Sequence, residues 1–281
     1  MSAAPFSDRA GADAFLSSLA AARGGTLPLG EAALALACRD RPRVDLARYH
    51  QHLAALAREV GEAAAGAATA ASRIAALNEV IVGRYGYAGD TLSYEDLQNA
   101  NLMRVIDRRK GLPVALGILY LHAGRAQGWD MAGLGFPGHF LLRLADGVAR
   151  VVIDPFHGGR VRDAAELREL LKAVAGLAAE LEPQHYAPVS DRDVLLRLQN
   201  NLKLRLLQSR QPGPALAVVE GMLLVAPDHA GLWQEAGVIE AELGNLRAAI
   251  AALERSLALA PDVTTRRQAA TLLQRLKPRL Q

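Results

Sequence analysis

The segments LLVAPD and LALAPD place Pro227 and Pro261 34 residues apart, each just past the apolar end of a helical pattern. That period constrains the last third of the chain more tightly than any other feature. A pair of helices repeated at this length cannot bury its apolar face alone and must stack on a neighbour. Counting back from Pro261, the small and large residues Trp233, Ala236, Gly237, Gly244, Ala249 and Leu253 fall at regular intervals along two helices. The preceding register supplies Leu202, Leu206, Ala215, Val219 and Met222.

This pattern is that of a tetratricopeptide repeat, with the final segment TTRRQAATLLQRLKPRL reading as a capping helix. Such repeats bury a ridge between paired helices and leave a concave face for a peptide or a partner helix. Trp233 is expected to pack between the paired helices.

The remainder of the chain is rich enough in apolar residues for a second core, since 51% of its 281 residues are hydrophobic. A net charge of +3 is the small difference between 32 basic and 29 acidic residues, so nucleic acid is not an expected partner. The N-terminal stretch has no leading basic cluster, and nowhere is there an apolar run of about 18 residues, so no membrane is expected either. A lone cysteine, Cys38, can form no internal disulfide and fits a reducing compartment. These features predict a soluble cytoplasmic protein.

Three parts follow. Residues 1–88 carry EAALALACRD, VDLARYHQHLAALAREV and ASRIAALNEVIVGRYG, whose apolar spacings of three and four predict helices. Residues 89–189 change character. NLMRVIDRRKG reads as a helix, and its terminal Arg108-Arg109-Lys110 is favourable there without any ligand. GLPVALGILYLHAGRAQGW reads as a buried helix opened by Pro113 in its first turn. MAGLGF, HFLLRL and ARVVID then predict the strands of the only sheet. Residues 190–281 return to the helical repeats. The fold class is therefore α+β followed by an all-helical region.

Between the last two strand candidates, Asp146-Gly147 is a favoured two-residue hairpin turn. Pairing Ala145 with Val148 would set His139 directly across from Asp154, on one face with Leu141, Arg143, Arg150 and Val152. A carboxylate that orients an imidazole is half of a nucleophilic triad, but it is equally a buried pair that satisfies itself. The third member is missing nearby. From Tyr94 to Val189 there is no Cys, Ser or Thr, and the helix start that would stabilise a thiolate reads Gly111-Leu112-Pro113.

The segments NANLMRVIDRRKGLPVALGILYLHAGRAQGW, GLGFPGHFLLRL and VVIDPFHGG together resemble the SirB-type bacterial proteins, a transglutaminase-like domain followed by tetratricopeptide repeats. EAALALACRD and LNEVIVGRYGYAGD resemble the helical N-terminal part of that family. The resemblance implies a papain-like core in which active members of the wider superfamily carry Cys at a helix start, His on one strand and Asp on the next. His139 and Asp154 match the last two positions. The cysteine position falls at Pro113, or at Leu112 if the register slips, so the resemblance does not imply thiol acyl transfer by the usual route.

Other residues line the same region. Pro137 and Gly138 precede His139, and Tyr85, Tyr87 and Tyr94 are candidates to cover the cleft beside it, with core packing instead the expected role of at least two of them. In DPFHGGR, residues His157, Gly158 and Gly159 either present N–H groups to an anion or a peptide carboxylate, or form a tight loop leaving a strand. His139, Asp154, His157 and His122 show no close ligand pair of the H-x-x-x-H type, so no metal or other cofactor is expected.

The expected function is a regulatory protein- or peptide-binding module acting through the cleft, the repeats or both. The alternative is a hydrolase or acyl-transfer-type enzyme with His139 as general base oriented by Asp154. A thiol route would need Cys38 to reach the cleft; otherwise it is a small buried side chain. The sequence leaves the oligomeric state open.

Overall fold

A computed structural model describes residues 4–22, 24–147 and 149–280. Its described residues pack as two units: those of Met1–Ala12 with Gly25–Leu198, and those of Asp13–Gly24 with Gln199–Gln281. Helix α1 (Arg9–Ala20) carries one division between them.

In the first unit α2 (Leu29–Asp40) turns its leucines and alanines inward, and α3 (Ala47–Ala63) buries Tyr49, Leu53, Leu56 and Val60. Thr69 and Ser72 then cap each other's backbone to start α4 (Ala70–Asn78), which continues as a π-helical turn over Glu79–Arg84. α5 (Leu102–Arg108) ends earlier than its pattern predicted. Arg109 adopts a left-handed conformation, φ 59°, and turns the chain into a two-residue strand. That strand, β2 (Lys110–Gly111), runs parallel to β1 (Ala88–Gly89). The described residues thus hold a second, two-stranded sheet where one sheet was expected, and its first residue, Ala88, precedes position 89.

α6 (Pro113–Arg125) is the central buried helix. Pro113 occupies its first turn, as expected, behind an extended Leu112. At Gly117 a Cβ would lie 2.5 Å from the Phe140 ring, so only glycine lets this helix reach the sheet.

The four-stranded antiparallel sheet runs in the order β3 (Asp130–Leu134), β4 (Leu141–Asp146), β5 (Ala149–Asp154) and β6 (Arg160–Arg162). Its register corrects the sequence-based one. Ala145 pairs with Arg150 and Asp146 with Ala149, so the pairing is displaced by two residues; Val148, the expected partner of Ala145, lies outside the described residues. The cause is long-range. Asp146 stays in the strand because its carboxylate accepts the Ala70 N–H at 2.9 Å, at the start of α4, and pairs with Arg73 at 3.2 Å. A displacement of two keeps every side chain on its face but carries Asp154 away from the position opposite His139. β4 also starts two residues after His139, which sits in the preceding turn.

α7 (Ala164–Ala175) starts with a reciprocal cap between Asp163 and Glu166 and lays Leu167 and Leu171 on Leu134, Phe136, Leu141 and Val152 of the sheet side. The outer edge of β3 is closed by the chain itself, through a bridge from Leu134 to Pro188 and a Val189 N–H to Gly133 bond of 2.9 Å.

Cys38 is 1% exposed within α2. We expect Ellman's reagent to modify it at least about 100-fold more slowly in the native protein than in denaturant. Comparable rates would place the thiol at an accessible surface and revive a thiol mechanism.

The first helix after the sheet domain, α8 (Asp191–Gln208), passes from one unit to the other at Leu198. The second unit continues with α9 (Pro212–Val225), α10 (Ala230–Glu242), α11 (Leu246–Leu259) and α12 (Val263–Leu276). The predicted repeat positions Leu202, Leu206, Ala215, Val219, Met222, Ala236, Ala249 and Leu253 are all buried. α12 closes the stack by placing Leu273 and Leu276 on Ala249 and Leu253. Trp233 donates its indole N–H to the Pro227 carbonyl at 2.7 Å, tying the helix to the proline that ends the preceding one.

Candidate functional site

Asp154 ends β5 and is 3% exposed. One carboxylate oxygen, Oδ1, accepts the Phe156 and His157 N–H groups at 3.1 and 3.2 Å, capping the 3-10 turn Pro155–His157. The other, Oδ2, accepts from His157 Nδ1 at 2.8 Å and from Arg162 Nε and Nη2 at 3.1 and 2.7 Å. Arg162 reaches it because the β5–β6 register pairs Val152 with Arg162. Every acceptor direction of this buried carboxylate is therefore in use.

His139 is held differently. It follows the turn at Pro137 and Gly138, where Gly138 has φ +69°. Its backbone carbonyl accepts from Arg197 Nη2 at 2.8 Å, and that guanidinium lies 5.5 Å from the centre of the Phe140 ring. Among the described residues no hydrogen bond joins its imidazole to Asp154 or to any other group. Burial lowers the His139 pKa below the usual histidine range. The negative charge of Asp154 opposes that shift, while His157, Arg162 and Arg197 add to it. Burial thus favours the neutral imidazole, which lies near Asp154 in the electrostatic sense but is not oriented by it. The expected His139–Asp154 contact gives way to Asp154–His157 and Asp154–Arg162.

A second layer fixes the loop. The Tyr120 hydroxyl on α6 donates to Asn78 Oδ1 at 2.9 Å, and Asn78 Nδ2 donates to the Gly159 carbonyl at 3.1 Å. Gly159 in turn donates its N–H to the Asp154 carbonyl at 2.9 Å. Burial, with the charge of Asp154, pushes the Tyr120 hydroxyl pKa well above the usual phenol range. Gly158 and Gly159 have φ of +68° and +72°, and a Cβ on Gly159 would lie 1.8 Å from Asn78 Oδ1. Of the two readings of DPFHGGR, the geometry is that of a tight loop, since the Gly159 N–H is already bonded.

The three tyrosines separate. Tyr94 stays beside the site, 40% exposed, with its ring edge-on to Phe156 at 5.8 Å. Tyr87 is buried elsewhere: its hydroxyl meets His52 Nε2 at 2.7 Å and Arg109 Nη1 at 2.5 Å. Tyr85 bonds Glu59 at 2.8 Å in the same cluster. There, desolvation and the Arg109 charge push the His52 pKa down to about 4. His122 is engaged by the Leu53 carbonyl at 3.0 Å and faces Glu31 at 3.7 Å. Among the described residues no three His, Cys, Asp or Glu side chains group as a metal site.

Arg162, Arg197, Asn78 and Tyr120 were not legible beforehand. The alternation Arg160-x-Arg162 directly after two glycines was the one available signal for β6. Nothing local marked the other three.

The fold defines a class: an α+β domain continued by stacked helix pairs. A model of the transglutaminase-like superfamily matches residues 47–200, and a tetratricopeptide-repeat model matches residues 202–274. The chain belongs to the transglutaminase-like superfamily. It is 31% identical over 244 residues to a UPF0162 protein of Xylella fastidiosa (strain Temecula1), covering 84% of this chain and 85% of that one. A UPF0162 protein of Vibrio cholerae is 32% identical over 77% of this chain and 80% of its own. The human protein named F-box only protein 21 is 32% identical over 81 residues, which are 29% of this chain and 13% of that protein. Among the described residues no helix is long and apolar enough to cross a membrane.

Proposed function

We propose that the chain is a regulatory, cytoplasmic protein- or peptide-binding module built on a transglutaminase-like domain that works without a nucleophilic cysteine. The carrying observation is the saturation of Asp154: its carboxylate serves Arg162, His157 and two backbone N–H groups, and so acts as a structural clamp. Pro113 at the start of α6, the run from Tyr94 to Val189 without Cys, Ser or Thr, and the buried Cys38 support the same reading. Tyr94, Pro137, Gly138, His139 and the exposed His157 would then contact a bound chain, and the repeats would supply a second surface. Placement in the SirB-type branch rests on the motifs RKGLP, FPGHF and DPFHGG.

A second reading has one observation in its favour. The His139 imidazole is half-buried and without a hydrogen-bond partner among the described residues, and burial favours its neutral form, the form in which a general base acts. Affinity capture with wild type and His139→Ala, reading the intact mass of each retained protein before and after incubation, separates the two. A stoichiometric partner of unchanged mass is the expected result. A mass change produced by the wild type alone would overturn the binding reading and establish an enzyme.

A further inference from the structure

Two segments far apart in sequence, 39–48 and 104–110, hold eight of the 32 basic residues and only three of the 29 acidic ones, Asp40, Asp45 and Asp107. The rest of the chain is therefore slightly acidic. The fold brings the two segments onto one face. Asn101, at the start of α5, donates to the Ala37 carbonyl at 3.3 Å and to Asp40 at 3.1 Å, which docks the end of α2 on α5. Arg41, just past α2, reaches Asp107 at 3.0 Å, and Arg48 of α3 reaches its other carboxylate oxygen at 3.1 Å. The buried Tyr49 hydroxyl donates to the same carboxylate at 3.0 Å.

Most of these charges are spent inside the chain. Asp45 accepts the Ala47 N–H at 2.9 Å, Arg108 holds the buried Asp90 at 2.9 Å, Arg109 turns onto Tyr87, and Arg39 is engaged as well. What remains has one sign. Arg43, Arg104 and Lys110 are exposed, and among the described residues their side chains make no hydrogen bond or ion pair. Arg48 stays more than half exposed beside Asp107.

Asp107 shows what this face is built to hold. A carboxylate fixed between two guanidinium groups and a phenol matches the forked donors of arginine. Arg104 lies one turn before Asp107 on α5, about 5 Å along the axis, so a second carboxylate beside Asp107 falls within its reach. A continuous phosphate backbone fits less well, because duplex DNA carries a charge about every 1.7 Å of axis and would press some of them against Asp107. An extended peptide sets the side chains of one face about 7 Å apart and can straddle it.

We propose that this face docks an acidic peptide segment of a partner protein, with Arg43, Arg104 and Lys110 taking its carboxylates. It goes beyond the reading of the cleft: neither His139 nor Asp154 takes part, so either reading can fail without the other.

The test is fluorescence anisotropy of the full chain with a labelled peptide of alternating Glu and Gly, beside the same peptide with Lys for Glu and a DNA duplex of equal charge. The glutamate peptide is expected to bind in the range of tens of micromolar at low salt, and at least about fivefold more weakly at physiological ionic strength. The lysine peptide is expected not to bind. Arg43→Glu with Arg104→Glu is expected to weaken binding at least about tenfold with an unchanged melting temperature. Asp107→Asn, which leaves Arg41 and Arg48 without their anion, is expected to strengthen it several-fold. Arg266→Glu with Arg267→Glu, two exposed residues of α12, makes the same change in net charge and is expected to leave the affinity within about twofold. Equal losses in the two double variants would reduce the effect to net charge and overturn the proposal. So would a glutamate peptide that does not bind, a duplex that binds more tightly, or no gain from Asp107→Asn.

Discussion

Asp154→Ala is expected to destabilise the sheet-containing unit by about 3–5 kcal/mol, the cost typical of removing one partner from a buried ion pair. Arg162, nearly buried, would keep only its longer contact to Glu166 at 3.5 Å, and the 3-10 turn at Pro155–His157 would lose the cap on two N–H groups. His139→Ala is expected to cost no more than about 1 kcal/mol, because that imidazole surrenders no hydrogen bond in the described structure. Urea denaturation of both variants measures the contrast. Equal losses, together with strong non-additivity in the double variant, would show that His139 and Asp154 act as one unit after all. That outcome would return weight to the enzymatic reading.

Replacing Gly159 by alanine should cost a similar amount, about 3–5 kcal/mol, for a different reason. The new Cβ would meet Asn78 Oδ1 at 1.8 Å and Tyr120 Oη at 2.5 Å, on a backbone already at φ +72°. Either the loop moves and Asp154 loses its backbone partner, or Asn78 withdraws and its two hydrogen bonds break. Gly158 supplies the control. It has nearly the same φ, but no atom lies within 4 Å of its Cβ position, so Gly158→Ala carries only the left-handed cost of about 1 kcal/mol. Thermal melts of the two single variants should differ clearly. Similar melting temperatures would mean that the Asn78–Gly159 contact is loose and that the loop is not clamped from α4.

These two sites show why the candidate site was only partly legible. His139, Asp154 and the double glycine could be picked out because they stand in short motifs at a predictable strand and turn. Their relation could not. Asp146-Gly147 is locally an excellent turn, yet Asp146 is claimed by the N-terminus of α4 and by Arg73, more than 70 residues upstream, and the hairpin register moves accordingly. Asp154 then meets Arg162 of a three-residue strand, too short to display a period, and His139 is left outside the network.

The repeats are the opposite case. Their positions are spaced by the helix period and by the 34-residue return, so each buried residue is specified by neighbours in its own helix pair. Sequence by itself therefore determined the α+β domain, the helix start at Pro113, the stacked repeats and the run from Tyr94 to Val189 without Cys, Ser or Thr, because periodicity, proline geometry and composition act locally. Tertiary structure alone decided the hairpin register, the pairing of Asp154 with Arg162 and His157, and the lack of a hydrogen-bond partner for the His139 imidazole among the described residues. Those depend on hydrogen bonds and desolvation contributed by distant segments, which no local pattern encodes.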